Sequence, residues 1–145
     1  MYKFFIIISF LISCSNQHVN NNKLDFLSYK TINDFKWNKR LIVLVNVNDT
    51  MINYNLEIFK NKFLERDVVT IHLNNKSVFI DDHRMKNKFH ESLLKIIDIN
   101  KSNTLYLIGK DGKIKSEYNK NIDFELKTKK IDSMPMRKRE MKNYN

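Results

Sequence analysis

Few residues in this 145-residue chain carry reactive chemistry. Histidines stand at His18, His72, His83 and His90, and the acidic pair Asp81-Asp82 runs directly into His83. Carboxylates and an imidazole can share a divalent ion, so Asp81, Asp82 and His83 are the metal candidates, with His90 seven residues on as a further donor. No fixed ligand spacing accompanies them. The competing reading is that the two aspartates cap a helix and favour its dipole, and no cofactor or metal is expected. A second set is cationic. Arg66 stands beside Asp67, Lys110 beside Asp111, and Arg137 three residues before Glu140. Converging cations oriented by carboxylates bind anions, which makes Arg66, Lys110, Asp111 and Arg137 a candidate anion or ligand site. Structurally, the same residues would end a helix, occupy a turn and form an i,i+3 pair. Thr50 has a hydroxyl but no evident base, and capping suits it better than catalysis. No Walker-type glycine loop, Ser-His-Asp order or catalytic carboxylate pair can be assigned.

The one cysteine, Cys14, follows a short positive start at Lys3 and an apolar run from Phe4 to Ile12. Leu11-Ile12-Ser13-Cys14 matches the lipobox of bacterial lipoproteins, in which the cysteine sulfur takes a diacylglycerol before cleavage. The run is shorter than the roughly 20 residues needed to span a bilayer. The reading is therefore a signal peptide over 1–13, a lipidated cysteine with a polar tether over 14–23, and one domain over 24–145. Localisation follows: exported, in the cell envelope, membrane-anchored by lipid at Cys14. Lipidation would consume the only thiol, which excludes disulfides within the chain, a C-x-x-C redox centre and a cysteine zinc site.

A net charge of +10 admits nucleic acid, anionic headgroups or acidic partners. Yet the basic residues are 21 Lys to 5 Arg, spread along the chain beside 20 Asn and no Ala. That pattern fits drift of an AT-rich genome, and an exported protein seldom meets nucleic acid, so no nucleic-acid partner is expected.

The elements that must position these residues follow from periodicity. Leu41 to Val45 is a continuous apolar run, a strand buried on both faces. Ile52, Leu56, Phe59 and Phe63 recur at helical spacing after a cap at Asp49 or Thr50. Val68 to Leu73 is a second strand, making a crossover unit. A polar stretch leads to a helix over Arg84–Ile97 with Met85, Phe89, Leu93 and Ile96 on one face. Leu105–Ile108 and Lys113–Tyr118 form a hairpin through Gly109-Lys110-Asp111-Gly112, where positive φ is expected. Charges alternating along its second strand suit an exposed edge. A third helix covers Asp123–Ser133, and Pro135 either ends it or opens another. Leu24 to Phe35 reads as a short helix plus loop. This order predicts an α/β chain with a thioredoxin-like, three-layer arrangement, a mixed sheet flanked by helices.

Three strings add to that reading: Arg66-Asp67 before a β-branched strand, Leu107 to Gly112, and Ile131-Asp132-Ser133-Met134-Pro135-Met136-Arg137 followed by Glu140-Met141. Together they resemble the DUDES-type domain of unknown function, found in exported bacterial proteins and some vertebrate extracellular matrix proteins. The resemblance covers roughly Leu27 to Met141. It implies a thioredoxin- or peroxiredoxin-like fold and no established activity. Thioredoxin-like enzymes place their reactive cysteine where the first central strand meets its helix; here that junction is Asn46 to Met51. Their cis-proline precedes the hairpin; here Lys101 to Thr104 stand there. The expectation is a lipid-anchored envelope domain that binds an envelope protein or an anionic ligand without catalysis. The rivals are non-thiol chemistry around Arg66, Lys110 and Arg137, and adhesion to anionic envelope polymers through lysines. A closed pocket around the motif charges would favour an enzyme, and an exposed apolar patch a binder.

Overall fold

The sheet is built around β1 (Arg40–Val45), whose six residues are all buried. The computed structural model describes residues 28–48, 50–119 and 122–143. The expected leader, Cys14, the tether, His18 and Asp49 lie outside the described residues.

Alternation along β1 divides the core in two. Leu41, Val43 and Val45 face Phe35, Phe89, Leu93 and Ile97 on one side. Ile42 and Leu44 face Ile52, Phe63, Phe124 and Ile131 on the other. A strand covered on both faces has no room for polar alternation, which is why it reads as an unbroken apolar run. Helix α1 (Thr50–Leu64) carries the chain across to β2 (Val68–Asn74), which pairs parallel with β1. Helix α2 (Asn87–Leu94) covers the opposite face. Strand β5 (Thr104–Ile108) then lies antiparallel to β1, followed by β6 (Ile114–Tyr118) and α3 (Phe124–Asp132). The run β2-β1-β5-β6, with only the first pair parallel, is the thioredoxin-like topology, and the expected fold class holds.

The supposed polar stretch is a hairpin, β3 (Ser77–Ile80) and β4 (His83–Arg84), that extends the sheet to the order β4-β3-β2-β1-β5-β6. Strand β3 buries Val78 and Ile80, and β4 follows a two-residue turn. Asn74 starts the reversal by accepting the Ser77 amide at 2.9 Å. The apolar triplet Val78-Phe79-Ile80 is too short to stand out among polar neighbours. In consequence α2 begins at Asn87 rather than Arg84 and stops at Leu94. Past that end the Ile97 amide still bonds Leu93, so Ile97 turns inward while Ile96 is 39% exposed. Pro135 opens a fourth helix, α4 (Pro135–Asn143), its fixed φ suiting the first helical position. Of the Leu24–Phe35 segment, the described part contains a 3-10 turn over Ile32–Phe35, closed by Asp34 accepting the Lys30 and Thr31 amides.

Candidate functional site

At the end of the sheet where β1 begins, three chain reversals bring the charged strings together. The first follows α1. Arg66 and Asp67 lie in the turn before β2, and Asp67 takes φ +53, a left-handed geometry that aspartate tolerates. The turn sends Arg66 back along α1, where Nη1 donates to the Lys62 carbonyl at 2.9 Å. Asp67 points the other way, accepting from Lys110 Nζ at 2.7 Å and Lys39 Nζ at 3.2 Å. The second reversal is the β5–β6 turn, which carries Lys110; Gly112 there has φ +76. The third joins α3 to α4 and delivers Asp132, Arg137 and Glu140.

The resulting network is continuous. Arg66 grips Asp132 with two parallel bonds, Nε at 2.9 Å and Nη2 at 2.8 Å. Glu140 accepts from Lys110 at 2.8 Å and from Arg40 Nη2 at 3.1 Å to each carboxylate oxygen. Arg40, only 1% exposed, also donates Nη1 to the Arg66 carbonyl at 2.8 Å. Arg137 sits between the two halves, 3.5 Å from Asp132 and 3.6 Å from Glu140, and its buried Nε makes no hydrogen bond. Five cations thus share three half-buried carboxylates, with exposed Glu65 at the edge. Burial pushes the Asp67 and Glu140 carboxyls up, but their cationic partners outweigh it: Lys110 and Lys39 for Asp67, Arg40 and Lys110 for Glu140. Both end below the ordinary carboxylate value. Neither holds a proton to donate near neutral pH.

Beside it lies a concave pocket of about 350 Å³. Arg40, Lys110, Lys115 and Lys130 contribute cations, Asp111 the sole carboxylate, and Ser133 to Met136 form one wall with the opening turn of α4. Asp111 is engaged by Lys115 at 2.7 Å. Of the expected anion-binding residues, Lys110 and Asp111 line this pocket. Arg66 and Arg137 do not; they stand behind it in the network.

The other candidates separate. Asp81 and Asp82 occupy the β3–β4 turn at φ +44 and +64, and the Asp81 carbonyl lies 2.8 Å from His83 Nδ1. They cap no helix: α2 starts later, and His83 lies on a strand, so it shares no helical face with His90. Among the described residues no group of three or more His, Cys, Asp or Glu is arranged to hold a metal ion. His72 lies on β2 with its value lowered by burial, against the opposing influence of Asp82 and Asp81. At the junction after β1, Asn46 takes φ +48 and ties the chain to the Ile99 and Lys101 carbonyls at 2.8 and 3.1 Å.

Sequence reasoning missed Arg40, Asp132, Lys115 and Lys130. Arg40 opens an apolar run and looks like a solvated strand end, while Lys115 and Lys130 are indistinguishable from the surrounding lysines. Asp132 did carry a signal, since it sits inside the string that ends at Arg137.

Fold and site together define a thioredoxin-like domain with a partly buried charge network at one end of its sheet. The chain belongs to the family described as Domain of unknown function (DUF4174), whose model matches residues 31–140. No curated protein sequence matches it. Among solved structures it is similar to the mitochondrial 2-Cys peroxiredoxin from Plasmodium falciparum at 13% identity and a TM-score of 0.47, over 70% of this chain and 79% of that one.

Proposed function

We propose that this is an exported lipoprotein, anchored through Cys14, whose thioredoxin-like domain binds an anionic ligand in the cell envelope without catalysis. The likeness to DUDES-type domains belongs to the same proposal. The observation that carries it is the pocket beside the network. Four cations line it against one carboxylate; Arg40, Lys110 and Lys115 are ion-paired, and Lys130 makes no ion pair among the described residues. One wall is the start of a helix with no acidic residue in its first turn, where amide groups lack helical partners. Phosphate, sulfate and carboxylate groups suit such a site. A protein partner is supported by the outer side of α1, where Met51, Tyr54 and Ile58 are 61%, 63% and 55% exposed at i, i+3 and i+7. The rival chemistry around Arg66, Lys110 and Arg137 needs a free acid or base, and the carboxylates there are tied in ion pairs.

Thermal unfolding with inorganic phosphate tests the anion site. Phosphate should raise Tm more than chloride at equal ionic strength, by mass action on the folded state, and Lys115→Gln with Lys130→Gln should remove the difference. Equal shifts from both salts, or a phosphate effect that survives those substitutions, would overturn the assignment.

A further inference from the structure

Six described residues other than glycine have positive φ. Five are Asn or Asp, the side chains that tolerate it. The sixth is Trp37, at φ +66. A bulky aromatic residue there is strained, and this one gains little packing in return, being 65% exposed. Its backbone is held from below: the Trp37 amide donates to the Lys110 carbonyl at 2.6 Å, and the Asn38 and Lys39 amides bond the Phe35 carbonyl. The fold fixes a tryptophan outward at the corner between the 3-10 turn and the β5–β6 hairpin.

The surroundings are basic. On the face of the hairpin away from the anion pocket lies a second cavity of about 260 Å³, with Lys36, Lys39 and Lys95 around it and no acidic residue in its lining. Its floor is apolar, formed by Phe35, Leu41 and Ile108. Lys36 lies over Gly112, and Lys113 is exposed on the same hairpin. Among the described residues Lys36, Lys95 and Lys113 make no ion pair, whereas the nearby Asp67 is occupied by Lys39 and Lys110.

We propose that this corner docks on an anionic phospholipid surface, with Trp37 at the headgroup level, the lysines on phosphodiesters, and the cavity receiving one headgroup. An indole beside lysines is the side-chain pairing that partitions to the bilayer interface. Unpaired lysines near an anionic leaflet add attraction that neutral lipid lacks. The docking corner adjoins the anion pocket, the two cavities sharing Gly109 in their linings.

Trp37 is the only tryptophan in the chain, so its emission reports on this corner alone. The full chain is added to vesicles of phosphatidylcholine, with or without phosphatidylglycerol, and read by emission wavelength, iodide quenching and quenching by brominated lipid. Expected with phosphatidylglycerol are a blue shift, loss of iodide quenching and gain of bromolipid quenching, all reversed by high salt. Lys36→Glu with Lys95→Glu, or Lys113→Glu as a second variant, should abolish these changes while leaving Tm unaltered. Trp37 remaining open to iodide in both vesicle types would overturn the proposal. So would equal shielding by neutral lipid, shielding that rises with protein concentration without lipid, or a shift produced by inorganic phosphate alone. Flotation with vesicles of phosphatidylcholine alone, on which the corner should not dock, reports the proposed lipid anchor separately from the Trp37 signals.

Discussion

Arg40 has almost no contact with solvent, so its charge is met inside the protein or not at all. Glu140 supplies most of that compensation, with the Arg66 carbonyl completing it. Removing one partner of an enclosed pair strands the other. Glu140→Ala is therefore expected to destabilise by about 3 kcal/mol in urea denaturation, and Arg40→Met combined with Glu140→Leu by less than the single change. A double variant less stable than Glu140→Ala would contradict that account. The same carboxylates set an acid dependence. Asp67 and Glu140 lie below their ordinary values when folded, so on acidification the unfolded chain takes up protons first. Their contribution is complete above about pH 5 and is lost as pH falls through the folded values. Asp67→Asn with Glu140→Gln should flatten the decline of Tm between about pH 5 and pH 3; an acid limb as steep as the unaltered protein's would refute this. Charge pairing was only half legible in the sequence, because residue type shows that Arg66 and Arg137 need partners but not which carboxylates reach them. Lys127 marks the limit. Nothing in its position on α3 signals that it is 1% exposed, its ammonium 3.1 Å from the centre of the Tyr118 ring and its value lowered by burial.

Elements with strong periodicity were legible, and those defined by contrast with their neighbours were not. The β1 run, the α1 stripe and the Asp123-capped α3 each carry enough apolar residues at a fixed spacing to specify a buried face. The Asp123 cap is seen directly, accepting from Glu125 and Leu126 amides at 2.8 and 3.2 Å. Strands β3 and β4 are short, and the acidic residues read as a helix cap are their turn. In the β5–β6 hairpin the two glycines differ. Gly112 has φ +76 and lies under Lys36, whereas Gly109 has no positive φ and is crowded by the flexible ends of Lys115 and Asp111. Gly112→Val should cost about 2 kcal/mol through backbone strain, and Gly109→Ala less. The opposite order in thermal melts would show that crowding, not φ, governs the turn. By the same logic Trp37→Asn should not lower Tm, since asparagine adopts that φ more readily.

For the whole molecule, the thioredoxin-like topology was readable because helices on both faces force a central apolar strand and an exposed edge. Function was not readable in the same way: it rests on which lysines border a cavity, and the chain offers 21 of them. No helix among the described residues is long and apolar enough to cross a membrane, so attachment through the leader is a separate question with its own test. Cys14→Ser should leave the precursor without acyl label in a bacterial host, and normal labelling would remove the lipoprotein reading. The central claim, an anion held between the β5–β6 turn and the start of α4, is tested most directly by amide chemical shifts during a phosphate titration. Saturable shifts confined to Gly109, Lys110, Met136 and Arg137, lost in Lys115→Gln with Lys130→Gln, are the predicted result. Shifts spread over lysines throughout the surface, rising without saturation, would contradict it.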